Sequence, residues 1–339
     1  MGERITLRDV ALEAGVHMST ASRALNADAR AVVNPLTVDR VMNAAERLGY
    51  SPHPLARGLR TNQTMTVGIV IPDVGNPLFG PIIAGAESTL GDEGYSLLIA
   101  DAGSDACPVV ENLIRRYIDG LILATVTKVD ETVANIARQR IPAVLVNRYA
   151  VGTAFPAIVG DDHVGIGMVV KHLVSLGHRA IGHVGGPKNL STGMGRYQAF
   201  LSWMQSLGLE VNAGAIEEAD VFKVDPGYRA ARALLNRRPD LTAIVAGNDL
   251  LALGCYRAIR EAGREVGSDV SVTGYNDMPL LDLMQPSLTS VRVPYRQMGA
   301  EAAKILVANL REDDWSEAAL SIRLTPTLSV RNSTQPPAS

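Results

Sequence analysis

Two different periods of apolar residues divide the chain. Over about the first fifty residues, apolar side chains recur every three or four positions in short runs, which is the spacing of amphipathic helices. From Thr66 onward, short apolar runs of strand length alternate with helix-length segments. The pattern therefore predicts a small helical region followed by a much larger α/β region.

The helical region is predicted to contain three helices. The first begins after Thr6, a favourable N-cap, and ends at Gly15, which permits a left-handed turn. A second short helix follows at the spacing of a helix-turn-helix. The third is predicted to be capped by Thr37 and closed by Gly49. The residues predicted to face inward are Leu7, Val10, Ala11, Ala14, Ala21, Ala24, Leu25, Val38, Val41, Met42, Ala45 and Leu48.

The second helix carries a polar outward face. That face consists of Met18, Ser19, Ser22, Arg23 and Asn26. Short hydrogen-bonding side chains and a guanidinium are the groups that a helix uses to read the major groove of DNA. Because any solvated helix carries such residues, the face alone leaves open whether it binds DNA or only meets solvent.

The α/β region contains too many strands for one small sheet. The strand-length runs are TVGIVI, YSLLIA, GLILA, AVLVN, AIVG, RAIGHVG, TAIVAG and VSVTGY. Strand–helix alternation predicts parallel sheets with right-handed crossovers. We therefore expect two lobes, each built on its own sheet.

Composition and charge add little that is specific. The net charge of the chain is −3, whereas residues 1–60 hold eight arginines against six acidic residues. A small positive head on an acidic body is compatible with DNA binding. Cys107 and Cys255 stand far apart, which predicts reduced thiols rather than a metal site. There is no signal-peptide pattern, no apolar run long enough to span a membrane and no catalytic motif, so we expect a cytoplasmic protein that is not an enzyme.

Two segments in order resemble one known family. The stretch ITLRDVALEAGVHMSTASRALN resembles the DNA-binding domain of the LacI/GalR (lactose/galactose repressor) family, and LGYSPHPLARGLRT resembles that family's third-helix end and hinge. The resemblance implies an N-terminal all-α helix-turn-helix domain over residues 1–60, with a hinge helix at about 52–60. It also implies a two-lobed α/β sensor domain, similar to type I periplasmic binding proteins, over residues 61–331. The tail, 332–339, is predicted to be disordered.

The resemblance also implies which residues contact DNA. Met18 and Ser19 would face base edges, whereas His17, which stands where the family usually has Ser, could donate to a phosphate or weaken a helix cap. Leu59 of the hinge would wedge into the minor groove, although it could instead be a linker residue packed on the sensor domain. The full set implied to contact DNA is Thr6, Arg8, His17, Met18, Ser19, Thr20, Ser22, Arg23, Asn26, Leu55, Ala56, Arg57 and Leu59.

Polar residues follow several predicted strands, where ligands bind in such folds. By family position, Arg196, Asn248 and Asn276 are the strongest candidates to bind a small-molecule effector. Each could instead be a loop cap or a lobe-packing contact. Asn147 and Asn276 stand where many family members have Asp. The site would therefore carry fewer negative charges and would accommodate an anionic ligand, such as a sugar acid or sugar phosphate, more readily. Secondary candidates are Leu78, Phe79, Asn147, Thr192 and Phe222.

The expected function is regulation of transcription. A homodimer would bind double-stranded DNA at a pseudo-palindromic operator, and an effector, most simply a carbohydrate, would change its operator affinity. A nucleobase effector is one alternative, and a solute-binding protein for transport is another. No cofactor, metal ion or membrane partner is expected. The dimer contacts are expected on the helix after Phe79 and around residues 278–283.

Overall fold

The computed structural model describes residues 5–50, 63–103, 105–116, 118–211, 213–311 and 321–338. The chain divides into two compact units, residues 1–64 and residues 65–339. The hinge expected at about 52–60 lies outside the described residues.

The first unit is a three-helix domain. Helix α1 begins after Thr6, whose backbone N and Oγ1 both donate to the carboxylate of Asp9 at 2.8 and 2.7 Å. Gly15 and Gly49 follow α1 and α3 with positive φ angles of 62° and 63°, which glycine adopts without strain. The helices are α1 (Leu7–Glu13), α2 (Met18–Leu25) and α3 (Pro35–Leu48), with a 3-10 turn at Ala27–Val32.

Two predictions within this unit are wrong. Helix α3 is capped by Asn34, whose Oδ1 accepts from the amide of Leu36 at 2.9 Å, so that Thr37 lies inside the helix. Met42, predicted to face inward, is 41% exposed, and the neighbouring Ala44 is fully buried in its place. Small side chains dominate the core because three short helices must approach closely.

The second unit contains two sheets of six strands among its described residues. The strands are β1 (Thr66–Ile71), β2 (Ser96–Asp101), β3 (Gly120–Leu123), β4 (Ala143–Val146), β5 (Ala157–Gly160), β6 (Ile181–Gly185), β7 (Ile216–Glu218), β8 (Ala243–Ala246), β9 (Ser271–Asn276), β10 (Thr289–Arg292), β11 (Ser321–Leu324) and β12 (Thr327–Ser329). The first sheet has the order β11-β5-β4-β3-β1-β2 with every pair parallel. The second has the order β12-β10-β9-β8-β6-β7, in which only the β10–β12 pair is antiparallel.

Helices cover the faces of both sheets, as parallel sheets require. We call the lobe built on the first sheet lobe 1 and the lobe built on the second sheet lobe 2. In lobe 1, helices α4 (Phe79–Asp92) and α11 (Tyr295–Arg311) cross so closely that a Cβ on Gly85 would lie 1.9 Å from the carbonyl oxygen of Arg296. The helices of the unit are α4 (Phe79–Asp92), α5 (Cys107–Arg115), α6 (Glu131–Arg138), α7 (Asp162–Ser175), α8 (Ser191–Ser206), α9 (Val224–Arg237), α10 (Asp249–Glu261) and α11 (Tyr295–Arg311). The expected two-lobed α/β architecture with an N-terminal helical domain is confirmed.

The end of the chain is not a disordered tail, so that prediction is wrong. Ser333 is fully buried: its Oγ donates to the carbonyl of Val272 at 2.6 Å and accepts from the amide of Thr289 at 2.8 Å. The backbone carbonyl of Gln335 accepts from His178 Nε2 at 2.8 Å. These residues supply polar partners to the strands of lobe 2, which explains why a polar segment is ordered here.

Within the described part of the chain, no helix is both long and apolar enough to cross a bilayer. The same residues contain no cluster of three or more His, Cys, Asp or Glu side chains that could hold a metal ion.

Candidate functional site

A cleft of about 740 Å³ opens between the two lobes. Its walls are formed where β1, β2, β3 and β4 of one sheet and β6, β7, β8 and β9 of the other reach their carboxyl ends. This is the edge at which open α/β sheets bind ligands. The cleft brings together all eight residues predicted to bind an effector: Leu78, Phe79, Asn147, Thr192, Arg196, Phe222, Asn248 and Asn276.

Hydrogen bonds between the lobes link the two walls of the cleft. The amide of Lys128, in the loop after β3, donates to the carbonyl of Asn189 at 2.9 Å. The amide of Tyr149, just after β4, donates to Ser191 Oγ at the start of α8 at 3.1 Å. These bonds join the loops after β3 and β4 of one lobe to the segment that leads into α8 of the other.

Arg196 is the most extensively bonded charged group of the cleft. Its Nε donates to Asp162 Oδ1 at 2.9 Å, its Nη1 donates to the carbonyl of Gly247 at 2.7 Å, and its guanidinium lies 3.8 Å from the ring centroid of Tyr275. Burial disfavours the charge, but Asp162, with smaller contributions from Tyr275 and Tyr295, more than offsets that effect and leaves the pKa of Arg196 above its ordinary value. Arg196 is therefore a fixed cation that is already neutralised by the protein.

Asn248 and Asn276 are held by their carbonyl oxygens. Asn248 is the N-cap of α10, and its Oδ1 accepts from the amide of Leu251 at 2.9 Å. Asn276 Oδ1 accepts from the hydroxyl of Tyr295 at 2.7 Å. In both residues the amide NH₂ group has no partner among the described residues, so it remains a donor for a ligand.

The backbone is unusual at two of the cleft asparagines. Asn147 has φ 65° and Asn276 has φ 114°. Asn tolerates the left-handed region better than most residues, whereas the value at Asn276 lies outside its usual range and stores strain. Strained residues that the surrounding fold holds in place cluster at ligand sites.

Aromatic and aliphatic side chains line the rest of the cleft. Leu78 and Phe79, at the start of α4, are almost fully buried. Phe222 lies against the backbone of Gly186, where a Cβ would come within 2.1 Å of its ring. A cleft that combines apolar surface with hydrogen-bond donors suits a ring whose edge is polar.

Arg148 is a cleft residue that sequence reasoning did not assign. It follows Asn147 directly, and the run VNR at a strand end was the signal that could have identified it. Its Nε is buried and has no hydrogen-bond partner. Burial, with a smaller contribution from the charge of Arg196, lowers the pKa of Arg148 to about 10. Arg148 thus carries a positive charge that the described part of the protein does not neutralise.

A fully buried carboxyl group follows a cleft residue in the sequence. Asp249, next to Asn248, accepts from Ser290 Oγ at 2.5 Å and from the amide of Met278 at 2.9 Å. Burial raises the pKa of Asp249 to about 7, against the opposing effect of these two hydrogen bonds. The side chain therefore ties a cleft-wall helix to the segment that follows β9.

In the helical unit, α2 displays the polar face expected from the sequence. Ser19 and Arg23 are exposed and Met18 is 52% exposed, whereas Thr20, Ser22 and Asn26 are partly buried. Thr6 and Arg8 are exposed at the start of α1. The implied hinge contacts Leu55, Ala56, Arg57 and Leu59 lie outside the described residues.

His17 caps α2. Its Nδ1 accepts from the amide of Ser19 at 3.3 Å and lies 2.8 Å from the hydroxyl of the same residue. Because Nδ1 accepts, the neutral ring carries its proton on Nε2, which can donate outward. The cap and the suggested phosphate contact are therefore compatible.

Comparison with known proteins identifies the family. Residues 6–53 match the model of the bacterial regulatory proteins of the lacI family, and residues 170–334 match that of a periplasmic binding protein-like domain. The HTH-type transcriptional regulator CelR of Thermobifida fusca is 32% identical over 90% of this chain and 91% of its own length. The chain belongs to the LacI family of bacterial regulatory proteins.

Other relatives of this LacI-family protein match over similar lengths. The ribose operon repressor of Escherichia coli (strain K12) is 30% identical over 97% of this chain and 99% of its own. Among solved structures, the Lac repressor dimer bound to operator and the anti-inducer ONPF matches this chain with a TM-score of 0.85 at 25% identity. The match covers 98% of this chain and 100% of that chain. The match therefore includes both the helical unit and the two-lobed unit.

Proposed function

We propose that this LacI-family protein is a homodimeric transcriptional repressor whose operator affinity is set by a small carbohydrate bound between the lobes. The observation that carries the proposal is the cleft, which joins Arg196, Asn248 and Asn276 of lobe 2 to Asn147 of lobe 1. A ligand that contacts both lobes must favour one lobe arrangement over others, and only such a difference in affinity can shift a conformational equilibrium.

The helical unit supplies the DNA-binding surface in this proposal. The exposed face of α2 carries Met18, Ser19 and Arg23, and His17 offers a donor at the start of the same helix. Two such helices in a two-fold dimer would read two half-sites of a near-palindromic operator. The dimeric Lac repressor bound to operator, which this chain resembles over nearly its full length, supports that arrangement.

The relatives support a carbohydrate effector. The solved CelR structure is a complex with cellobiose, and another LacI-family structure at 28% identity contains ribose. The task proposed for the cleft is binding rather than catalysis. Since bacterial operator DNA is in the cytoplasm, we propose that the protein acts there.

DNA selection with the full-length protein tests the proposal. Duplexes enriched from a random pool should be two-fold symmetric, and their affinity should fall steeply with salt as phosphate contacts release counterions. Arg23→Gln should weaken binding and lower the salt slope by about one if this residue contacts a phosphate. Arg40→Gln, at an exposed position of α3, serves as the matched control. Enrichment of no symmetric sequence, or a flat salt profile, would contradict the proposal.

A further inference from the structure

Several polar groups of the cleft are hydrogen-bond donors that have no free acceptor of their own. Asn248 and Asn276 each spend their carbonyl oxygen inside the protein and keep an NH₂ group free. Arg148 and Arg196 add guanidinium groups, which can only donate. A ligand that satisfies this set must present several acceptor oxygens.

The positive charge of Arg148 has no counter-charge nearby. No hydrogen bond or ion pair joins it to any described residue, and its Nε is buried without a partner. Its charged neighbour is Arg196, whose repulsion lowers the pKa of Arg148 further below the ordinary value after the effect of burial. Arg196 differs because Asp162 neutralises it at 2.9 Å. Arg148 is only partly buried and lines the cleft, so its unpaired charge is accessible to a negatively charged ligand.

The acidic residues of the cleft wall do not supply that charge. Asp101 is exposed, and its two oxygens accept from the amides of Val74 and Gly103, both at 2.9 Å. Asp73 Oδ1 accepts from the amide of Gly75 at 2.9 Å. The side chain of Asp220 is 74% exposed at the rim of the cleft. These carboxylates are solvated or occupied by backbone amides, whereas the guanidinium of Arg148 is left unpaired.

From this asymmetry we propose that the effector is an anionic carbohydrate, whose carboxylate or phosphate group pairs with Arg148 while its hydroxyl oxygens accept from Asn248 and Asn276. The inference rests on the proposed function, because it assigns a chemical class to the ligand of the same cleft. A planar guanidinium can bind two oxygens of either anion at once. Such a two-point contact fixes the orientation of the anion and is stronger than a single hydrogen bond.

Matched neutral and anionic probes test the proposal in the full-length protein. We would measure thermal unfolding with D-gluconate against D-glucitol, D-glucose 6-phosphate against D-glucose, and acetate or inorganic phosphate alone, all at constant ionic strength. An anionic probe should raise the Tm of the wild-type protein, whereas its neutral counterpart should act at least about tenfold more weakly. Comparison of the gluconate and glucose 6-phosphate arms distinguishes a carboxylate from a phosphate.

Variants locate the effect at one side chain. Arg148→Gln should lose the response to anions, and Arg148→Lys should keep part of it because the charge remains without the planar fork. Arg115→Gln, at an exposed arginine of α5 in the same lobe, should respond like the wild-type protein. Three results would each overturn the proposal: no anionic probe raises the Tm, the neutral probes act as strongly as the anionic ones, or Arg148→Gln retains the full response.

DNA binding separates this inference from the proposed function. Without added probe, the wild-type protein and the control Arg115→Gln should bind the selected duplex equally. If the wild-type protein binds DNA but ignores anions, only the anionic-ligand proposal fails. If it binds no symmetric duplex, the proposed function fails whatever the thermal data show.

Discussion

Arg196 and Asp162 form an ion pair beside the cleft, with 2.9 Å between Nε and Oδ1 and with only 5% and 18% of their side chains exposed. The same guanidinium also bonds to the carbonyl of Gly247, which precedes the cleft residue Asn248. One planar side chain thus connects the start of α7, the body of α8 and the end of β8. Its orientation is fixed before any ligand arrives.

Replacing Arg196 with lysine should abolish most of the ligand response while leaving ligand-free DNA binding in place. A lysine keeps the charge but cannot bond to Asp162 and Gly247 at once, so we expect a loss of about tenfold or more in effector affinity. Isothermal titration and DNA-binding anisotropy on the same preparation measure both quantities. Arg229→Lys, at an arginine 59% exposed on α9, is the control. An Arg196→Lys protein with normal ligand affinity would contradict the assignment.

Stability should depend on pH through Asp249. Burial raises its pKa from 3.8 to about 7 in the folded protein. Because the folded state holds the proton more tightly, this group contributes stability that is full below about pH 4 and is lost as the pH rises to about 7. The contribution is of the order of a few kcal/mol.

Asp249→Asn should remove that part of the pH dependence. The free energy of unfolding, measured with urea between pH 5 and pH 8, should fall with pH more steeply in the wild-type protein than in the variant. Asp282→Asn, at an exposed aspartate, should retain the wild-type slope. Equal slopes for wild type and Asp249→Asn would show that the carboxyl group is ionised throughout this range.

The C-terminal segment should contribute to folding. Ser333→Ala leaves the amide of Thr289 and the carbonyl of Val272 without the hydroxyl that each bonds to, and an unsatisfied buried polar group costs about 1–3 kcal/mol. Urea unfolding of Ser333→Ala measures this loss. Ser321→Ala, at an exposed serine of β11, should change the stability little. A Ser333→Ala protein as stable as the wild type would mean that the segment is dispensable.

His17 should have two separable roles. His17→Ala removes the cap of α2 and should cost the helical unit about 1 kcal/mol, whereas His17→Asn should keep the cap. For each variant we would measure the thermal unfolding transition of the helical unit and the affinity for DNA by fluorescence anisotropy. If Nε2 donates to a phosphate, His17→Asn should retain stability but bind DNA more weakly. Equal DNA affinity for His17→Asn and wild type would leave only the capping role.

Much of the fold was predictable because its signals are local. Strands such as β1 are continuous apolar runs, as buried parallel strands must be, and the three N-terminal helices have clear apolar periods. Strand β7 escaped prediction because its three residues, Ile216–Glu218, are mostly acidic and lie at a sheet edge. Strand β10 escaped because Thr289–Arg292 has a mixed sequence, although three of its residues are buried.

The site was partly predictable for a different reason. Parallel strands present their carboxyl ends at one edge of a sheet, so that residues far apart in sequence, such as Asn147 and Asn276, could be grouped by position alone. The unpaired charge of Arg148 could not be foreseen because it depends on which carboxylates the fold brings near it. Likewise, the polar segment around Ser333 looks disordered until its partners Val272 and Thr289 are known.

The most direct test of the account measures coupling between the cleft and the DNA. For an effector identified by thermal shift, one titration gives the change in operator affinity caused by the effector, and a second gives the change in effector affinity caused by the operator. The two factors should be equal and should differ from one, with a coupling free energy of about 1–3 kcal/mol. An effector that binds the cleft tightly and leaves operator affinity unchanged would contradict it.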